Sequence, residues 1–361
     1  MKYNNLKDLK CSYLGLGYMR YYNNSQEEIN QMVDFAIANG INYFESCYFY
    51  LNNQCEKVVA NSLKRYKRED YILCAKMPVQ GILEQKSPEQ IFNEQLNNLQ
   101  TDYFDIYLLQ ALDRNCLKIL LDTKVIQFLI QKKREGKIKK LGFSFHDTAD
   151  VFEKYLKLYD WDCCQLQINY YDWFLGEAKK IYELSENYNI PVIVMGPTKG
   201  GTLINNLPQS AKKILKCSPV ETCFNFLYNL KNVKVILTGA DTLSQLEENI
   251  NIINSIDINY IESDYYQIIE HYKSFNYLKC SNCKYCEPHC PVKIPLGEIF
   301  TLYNNILKNS NDERSLNLYR KIQKSKHSNF YCLNCGTCEK FCPQHLPIRK
   351  ILNENIFSLR L

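Results

Sequence analysis

Two copies of one cysteine run constrain this chain more than any other feature of its sequence. The first is Cys280, Cys283, Cys286 and Cys290, followed by Pro291; the second is Cys332, Cys335, Cys338 and Cys342, followed by Pro343. Each reads C-x2-C-x2-C-x3-C-P. Thiolates at that spacing wrap a cubane cluster from three positions and leave the fourth corner to a remote cysteine. Two such runs therefore predict two [4Fe–4S] clusters, each completed by the last cysteine of the other run. One ligand set is Cys280, Cys283, Cys286 and Cys342, and the other is Cys332, Cys335, Cys338 and Cys290. Zinc ribbons use two pairs of ligands rather than a triple with a remote fourth, and disulfides are disfavoured in a reducing compartment. The other nine of the 17 cysteines are scattered, mostly in apolar runs, and read as small buried hydrophobes.

Between the runs, residues 291–331 carry Ile299, Leu302, Ile306 and Leu307 at helical spacing. A polar turn follows at 309–312, then a second amphipathic stretch with Leu316, Leu318, Tyr319 and Ile322. Two-cluster bacterial ferredoxins are mostly β with a shorter insert. This insert is helical in pattern and resembles the α-helical ferredoxin module of multi-domain redox enzymes.

The 361 residues exceed one average domain, and 46% hydrophobic with 23% charged residues excludes a wholly disordered chain. Upstream of Cys280 the chain alternates short apolar runs, at 12–16, 41–44, 71–75, 104–109, 139–143, 163–168, 191–195 and 234–237, with helix-like stretches. Clear helical stretches are 27–39, 88–99, 124–135 and 178–188. Eight strand-like runs with helices between them predict an α/β fold, a (β/α)8 TIM barrel over 1–262, followed by a small α-helical ferredoxin-like domain over 263–361. A doubly wound sheet is disfavoured because no run is followed by G-x-G-x-x-G. No window of about 18 apolar residues predicts a membrane helix, and MKYNNLKDLK has no apolar signal core, so a cytoplasmic protein is expected. A formal charge of +5 does not call for nucleic acid. The basic clusters at 64–68 and 132–140 read as cationic last turns of helices, with Gly136 as a C-cap.

Barrel enzymes place their chemistry at the C-terminal ends of the strands. There the second run ends in Phe44-Glu45-Ser46, with Tyr50 five residues after Glu45, and the third ends in Lys76. The fourth ends in Gln110, the fifth in Ser144 and His146, and the sixth carries Gln165, Gln167 and Asn169. Thr198-Lys199-Gly200-Gly201 follows the seventh run, and Gln245, Glu248 and Asn249 follow the eighth. With the phrases NGINYFESCYFY, LQTDYFDIYLL, GKIKKLGFSFHD, PVIVMGPTKGGTL and TGADTLSQLEENI in this order, the chain resembles the aldo/keto reductase family. The cysteine runs make it similar to the branch of that family with a C-terminal iron–sulfur domain.

The resemblance implies a catalytic quartet of aspartate, tyrosine, lysine and histidine. The tyrosine protonates a substrate carbonyl while a nicotinamide delivers hydride, and the lysine, held by the aspartate, eases the tyrosine's proton loss. By position the tyrosine is Tyr50 and the lysine Lys76. Glu45 replaces the aspartate, and Gln110 replaces the histidine. A glutamine amide can donate a hydrogen bond but cannot titrate as imidazole does. For reductases that vary at this histidine, the resemblance implies reduction of a C=C bond conjugated to a carbonyl. His146, the only histidine before residue 271, reads first as a structural imidazole.

For the cofactor, the resemblance assigns Ser144 and Gln165 to the nicotinamide amide, and Lys199, Gly200 and Gly201 to the pyrophosphate. Gln245, Glu248 and Asn249 fall at the adenosine end, and Arg20 is a further phosphate candidate. NADP(H) is the family expectation; NAD(H) stays open because 238–245 holds no Lys or Arg to grip a 2′-phosphate. No flavin fingerprint is recognisable, although coupling two-electron hydride to one-electron clusters keeps a flavin open. The function expected is reduction of a small-molecule carbonyl or activated double bond, with a ferredoxin or other carrier as electron partner and neither nucleic acid nor membrane involved. The alternative, favoured by Glu45 and Gln110, is a non-catalytic electron-transfer or redox-sensing protein with a nucleotide-binding barrel. The segments 80–85 and 112–121 carry no recognisable specificity code.

Overall fold

The eight apolar runs are the eight parallel strands of a closed barrel in the computed structural model, which describes residues 1–256, 261–273, 277–308, 312–324 and 332–356. An antiparallel hairpin comes first, β1 (Tyr3–Leu6) and β2 (Leu9–Ser12). The barrel strands are β3 (Leu14–Gly17), β4 (Tyr43–Glu45), β5 (Ile72–Pro78), β6 (Phe104–Leu112), β7 (Ile138–Phe145), β8 (Cys163–Gln167), β9 (Val192–Met195) and β10 (Val233–Thr238). They pair in chain order, and β10 returns to pair with β3. Every strand overlaps its expected run, but β5 and β6 each run three residues further. The cause is a continued ladder, Lys76 opposite Leu108 and Pro78 opposite Gln110. Lys76 and Gln110 therefore stand within paired strands instead of just beyond them.

Strands buried on both faces read as unbroken apolar runs, and β5 is buried at all seven positions. Inside the barrel, Tyr43, Cys74, Ile106, Leu108 and Cys163 pack with Leu6 and Cys11 of the hairpin. The hairpin escapes sequence reading because its turn runs through Lys7, which adopts a left-handed φ of 56° without the usual Gly or Asn. The four clear helices appear within one residue of expectation, Gln26–Ala38, Pro88–Leu99, Val125–Arg134 and Ala178–Asn187. Capping boxes, Ser25 with Glu28 and Ser87 with Gln90, start the first two.

The basic clusters divide. Lys132–Arg134 occupy a last helical turn, with Gly136 left-handed just beyond it. The cluster at 64–68 lies past the end of its helix, Cys55–Leu63, and Lys139 lies on β7. Arg68 and Lys139 both pair with Asp105, each at 2.7 Å, because a buried carboxylate needs compensating charge.

The chain divides into two compact units, Met1–Pro197 with Val220–Tyr260, and Thr198–Pro219 with Ile261–Leu361. In the second, the helices Leu296–Lys308 and Glu313–Lys324 form on the expected stretches, and Ile299, Phe300, Tyr303 and Tyr319 pack in its core. The polar turn expected between them lies, at 309–311, outside the described residues. Eight of the nine scattered cysteines are buried; Cys217 is half-buried.

Gly142 on β7 leaves no room for a side chain. A Cβ there would fall on the Cys163 carbonyl and within 2.7 Å of its sulfur. Gly142→Ala should destabilise the barrel by about 1–3 kcal/mol, seen as a lower thermal midpoint.

Candidate active site and iron–sulfur site

At the C-terminal end of the barrel strands, Glu45 closes β4 and Lys76 lies on its neighbour β5. Both are only 3% exposed, and Lys76 Nζ sits 2.6 Å from Glu45 Oε1. The second carboxylate oxygen accepts a hydrogen bond from Gln165 Nε2. Gln165 is on β8, four strands from β4 in a ring of eight, so this bond crosses the barrel mouth. A small eight-strand barrel is narrow enough for opposite side chains to meet. Burial alone would pull the Lys76 value down, but the Glu45 carboxylate, the Cys47 and Cys74 thiols and the hydrogen bond to Glu45 hold it above its ordinary 10.5. The ammonium therefore persists throughout neutral pH. Its stabilising contribution is complete below 10.5 and is lost as pH climbs through the raised value.

Tyr50 is 7% exposed, and Lys76 Nζ stands 6.0 Å from the centre of its ring. Leu51, Asn52 and Asn53 then follow with φ of 53°, 54° and 64°. Asparagine tolerates this region, but Leu51 there costs about 1–2 kcal/mol, so the turn that places Tyr50 stores strain. Gln110, buried on β6, precedes an irregularity in the ladder where Ala111 has a φ of 52° and its N–H donates to Ser144 Oγ at 2.7 Å. The structure thus brings Glu45, Lys76, Tyr50 and Gln165 together and ties Ser144 to the residue after Gln110.

Sequence reading missed the layer behind Lys76. Gln95 Nε2 donates to the Lys76 carbonyl at 3.0 Å and to Glu56 Oε1 at 2.5 Å, while Tyr107 donates its hydroxyl to Gln95. Asn98 supports the other Glu56 oxygen at 3.0 Å, and burial pushes the Glu56 carboxyl up. The available signal was a glutamine on a buried helix face, in line with Ile91, Phe92 and Leu99.

Of the nucleotide candidates, Gln165 carries the clearest invitation. Its Nε2 is committed to Glu45, while its buried Oε1 has no partner among the described residues, an acceptor suited to a carboxamide N–H. Arg20 lies in the turn after β3, and its Cγ comes within 3.3 Å of where a Cβ on Gly239 would stand. On the helix Leu243–Ser255, Asn249 is buried and donates to Thr238 Oγ1 at 2.7 Å, whereas Gln245 and Glu248 are exposed. Lys199, Gly200 and Gly201, with φ of 51°, 66° and 87°, form a left-handed turn within the second compact unit.

All eight cysteines of the two runs are described. Burial pushes the Cys280 thiol up to about 12, and among its electrostatic neighbours are Cys283 and Cys342. Cys286, also raised by burial, faces Cys283, Cys342 and Cys280. Cys290, Cys332, Cys335 and Cys338 line one apolar cavity. Among the described residues no three His, Cys, Asp or Glu side chains stand close enough to hold one metal ion. Electrostatically, Cys280 and Cys286 have Cys283 and Cys342 as neighbours, and Cys338 has Cys332 and Cys290, a thiol-only donor set that suits a multi-atom cluster.

The second run repeats the first 52 residues on, and the backbone repeats with it. Asn282 and Asn334 are both left-handed, and their N–H groups donate to Cys280 and Cys332 sulfur at 3.3 and 3.4 Å. Glu287 and Glu339 each accept from a backbone N–H ten residues later, that of Gly297 at 2.9 Å and that of Arg349 at 2.8 Å. Asn304 clamps the chain before Cys280, exchanging two hydrogen bonds with the Leu278 backbone.

The aldo/keto reductase family model matches residues 13–272, and a 4Fe-4S dicluster domain matches 276–346. The uncharacterized oxidoreductase YqkF of Bacillus subtilis (strain 168) is 24% identical over 282 residues, 69% of this chain and 89% of YqkF. Protein tas of Escherichia coli (strain K12) is 30% identical over 188 residues, 42% of this chain and 53% of tas. Among solved structures, the holo form of an aldo-keto reductase from Bacillus halodurans shares the fold with a TM-score of 0.64 at 23% identity, covering 75% of this chain and 96% of its own. The chain belongs to the aldo/keto reductase family. It is an oxidoreductase with a C-terminal 4Fe-4S dicluster domain, and among the described residues no helix is long and apolar enough to cross a membrane.

Gly297 opens the helix that leans on the first cysteine run. A Cβ there would overlap the Asn282 amide and approach Glu287 Oε1 to 3.2 Å. Gly297→Ala should displace that run and lower the iron bound per chain, measured by iron analysis after anaerobic purification.

Proposed function

We propose that the barrel reduces a carbonyl, or a C=C bond conjugated to one, in a small molecule at the expense of NADP(H) or NAD(H), and that the dicluster domain relays electrons to or from a ferredoxin-like carrier. The observation that carries this reading is the buried Glu45–Lys76 pair beside Tyr50. A bound reduced nicotinamide supplies hydride, and the clusters supply one-electron capacity.

Tyr50 gives its hydroxyl proton to the oxygen on which negative charge develops. The Lys76 ammonium, fixed by Glu45, favours the tyrosinate that remains. Gln165, with its amide nitrogen held by Glu45, offers Oε1 to the nicotinamide carboxamide. Ser144, Arg20, Gln245, Glu248 and Asn249 complete the proposed nucleotide contacts. Gln110 donates an amide hydrogen where an imidazole would otherwise titrate, which suits a substrate oxygen that needs orienting more than a second acid.

Tyr50→Phe keeps the ion pair and removes only the acid. With NADPH or NADH and a panel of aldehydes, ketones and enones, it should lose about 10²- to 10⁴-fold in turnover at unchanged iron content. Lys76→Met, checked for folding, should fall as far; full activity in either variant would refute the assignment. Gln110→His should introduce a titration near about 6.5 into the pH–rate profile, where the parent shows none from this position.

A further inference from the structure

The crossed ligand sets make two short bridges. Residues 287–289 lead from Cys286 of one set to Cys290 of the other, and 339–341 lead back from Cys338 to Cys342. Each bridge ends in a ring, His289 or Phe341, immediately before its crossing cysteine. The two rings lie face to face, with centroids 3.5 Å apart and planes 8° from parallel. Aromatic pairs usually prefer edge-to-face or offset arrangements with centroids about 4.5–7 Å apart, so something imposes this closer contact. The near-symmetric bridges supply the cause. Each is anchored at its first residue, Glu287 or Glu339, to the backbone at Gly297 or Arg349.

We propose that the His289–Phe341 stack is the spacer between the two cluster sites, fixing their separation and keeping water out of the gap. The proposal rests on the assignment of two clusters to the crossed cysteine sets. Both rings are half-buried, one on each of the two stretches of chain that pass between the sets. A dry, packed spacer matters because solvent exposure and hydrogen bonding around the sulfurs help set cluster potentials.

The test uses the full chain, loaded anaerobically with ferrous iron and sulfide and reduced with dithionite. Iron content, the spin–spin splitting in the electron paramagnetic resonance of the doubly reduced form, and both potentials are measured. Three variants are compared. His289→Phe keeps two flat rings, Phe341→Leu keeps apolar bulk without a face, and Phe341→Ala removes both.

The parent and His289→Phe should give the same splitting. Phe341→Leu and Phe341→Ala should lose or change it and shift at least one potential at full iron content. Loss of iron from the Phe341 variants while His289→Phe stays loaded would also support the proposal, since the stack would then be needed to form the sites. Unchanged splitting and potentials in fully loaded Phe341→Leu would overturn it, as would loss of the signals in His289→Phe. A parent chain that takes up fewer than two clusters would instead refute the cluster assignment, leaving the two failures distinct.

Discussion

A carboxylate and an ammonium, both taken out of water, set the terms for the barrel mouth. Burying two charges costs several kcal/mol per ion, and the cost is recovered only where geometry and hydrogen bonding are complete. Glu45 meets that demand twice, toward Lys76 on the adjacent strand and toward Gln165 across the mouth. The second contact needs a closed eight-strand ring of the right diameter. The long side chain of glutamate suits a carboxylate shared between two partners on different sides. Tyr50 depends on the same pair, because its ring lies beside the ammonium that the pair holds in place.

Behind that pair the barrel has a second polar layer with no net pairing of charge. Glu56 is buried and held by Gln95 and Asn98, and Gln95 also fastens the Lys76 backbone. The helix that follows the Tyr50 turn, Cys55–Leu63, is thereby linked to the strand that carries Lys76. Strain in the turn at 51–53 and hydrogen bonds behind it act on the same few residues, so the position of Tyr50 is set from both sides.

The cysteine domain solves a different problem by repetition. A duplicated 52-residue offset brings the same left-handed asparagine, the same glutamate anchor and the same crossing cysteine to each site. Among the positions at which the copies differ, His289 and Phe341 still each present a flat ring. This arrangement keeps the thiols in two sets without relying on a large apolar core, which small domains can seldom build.

The cysteine spacing, the eight apolar runs and the four clear helices were legible because each is a local pattern: a ligand interval or an alternation of periods. The candidates Tyr50, Lys76, Glu45 and Gln165 were legible as positions at run ends. Their joining was not, since Glu45 and Gln165 lie 120 residues apart and meet only when the barrel closes. The N-terminal hairpin, the Gln95–Glu56 layer and the His289–Phe341 stack were hidden for the same reason. Sequence by itself determined which elements form and which chemistry each strand end can offer. Only the tertiary structure decided which of those groups share a charge, because that depends on closure of the ring and on what burial leaves without water.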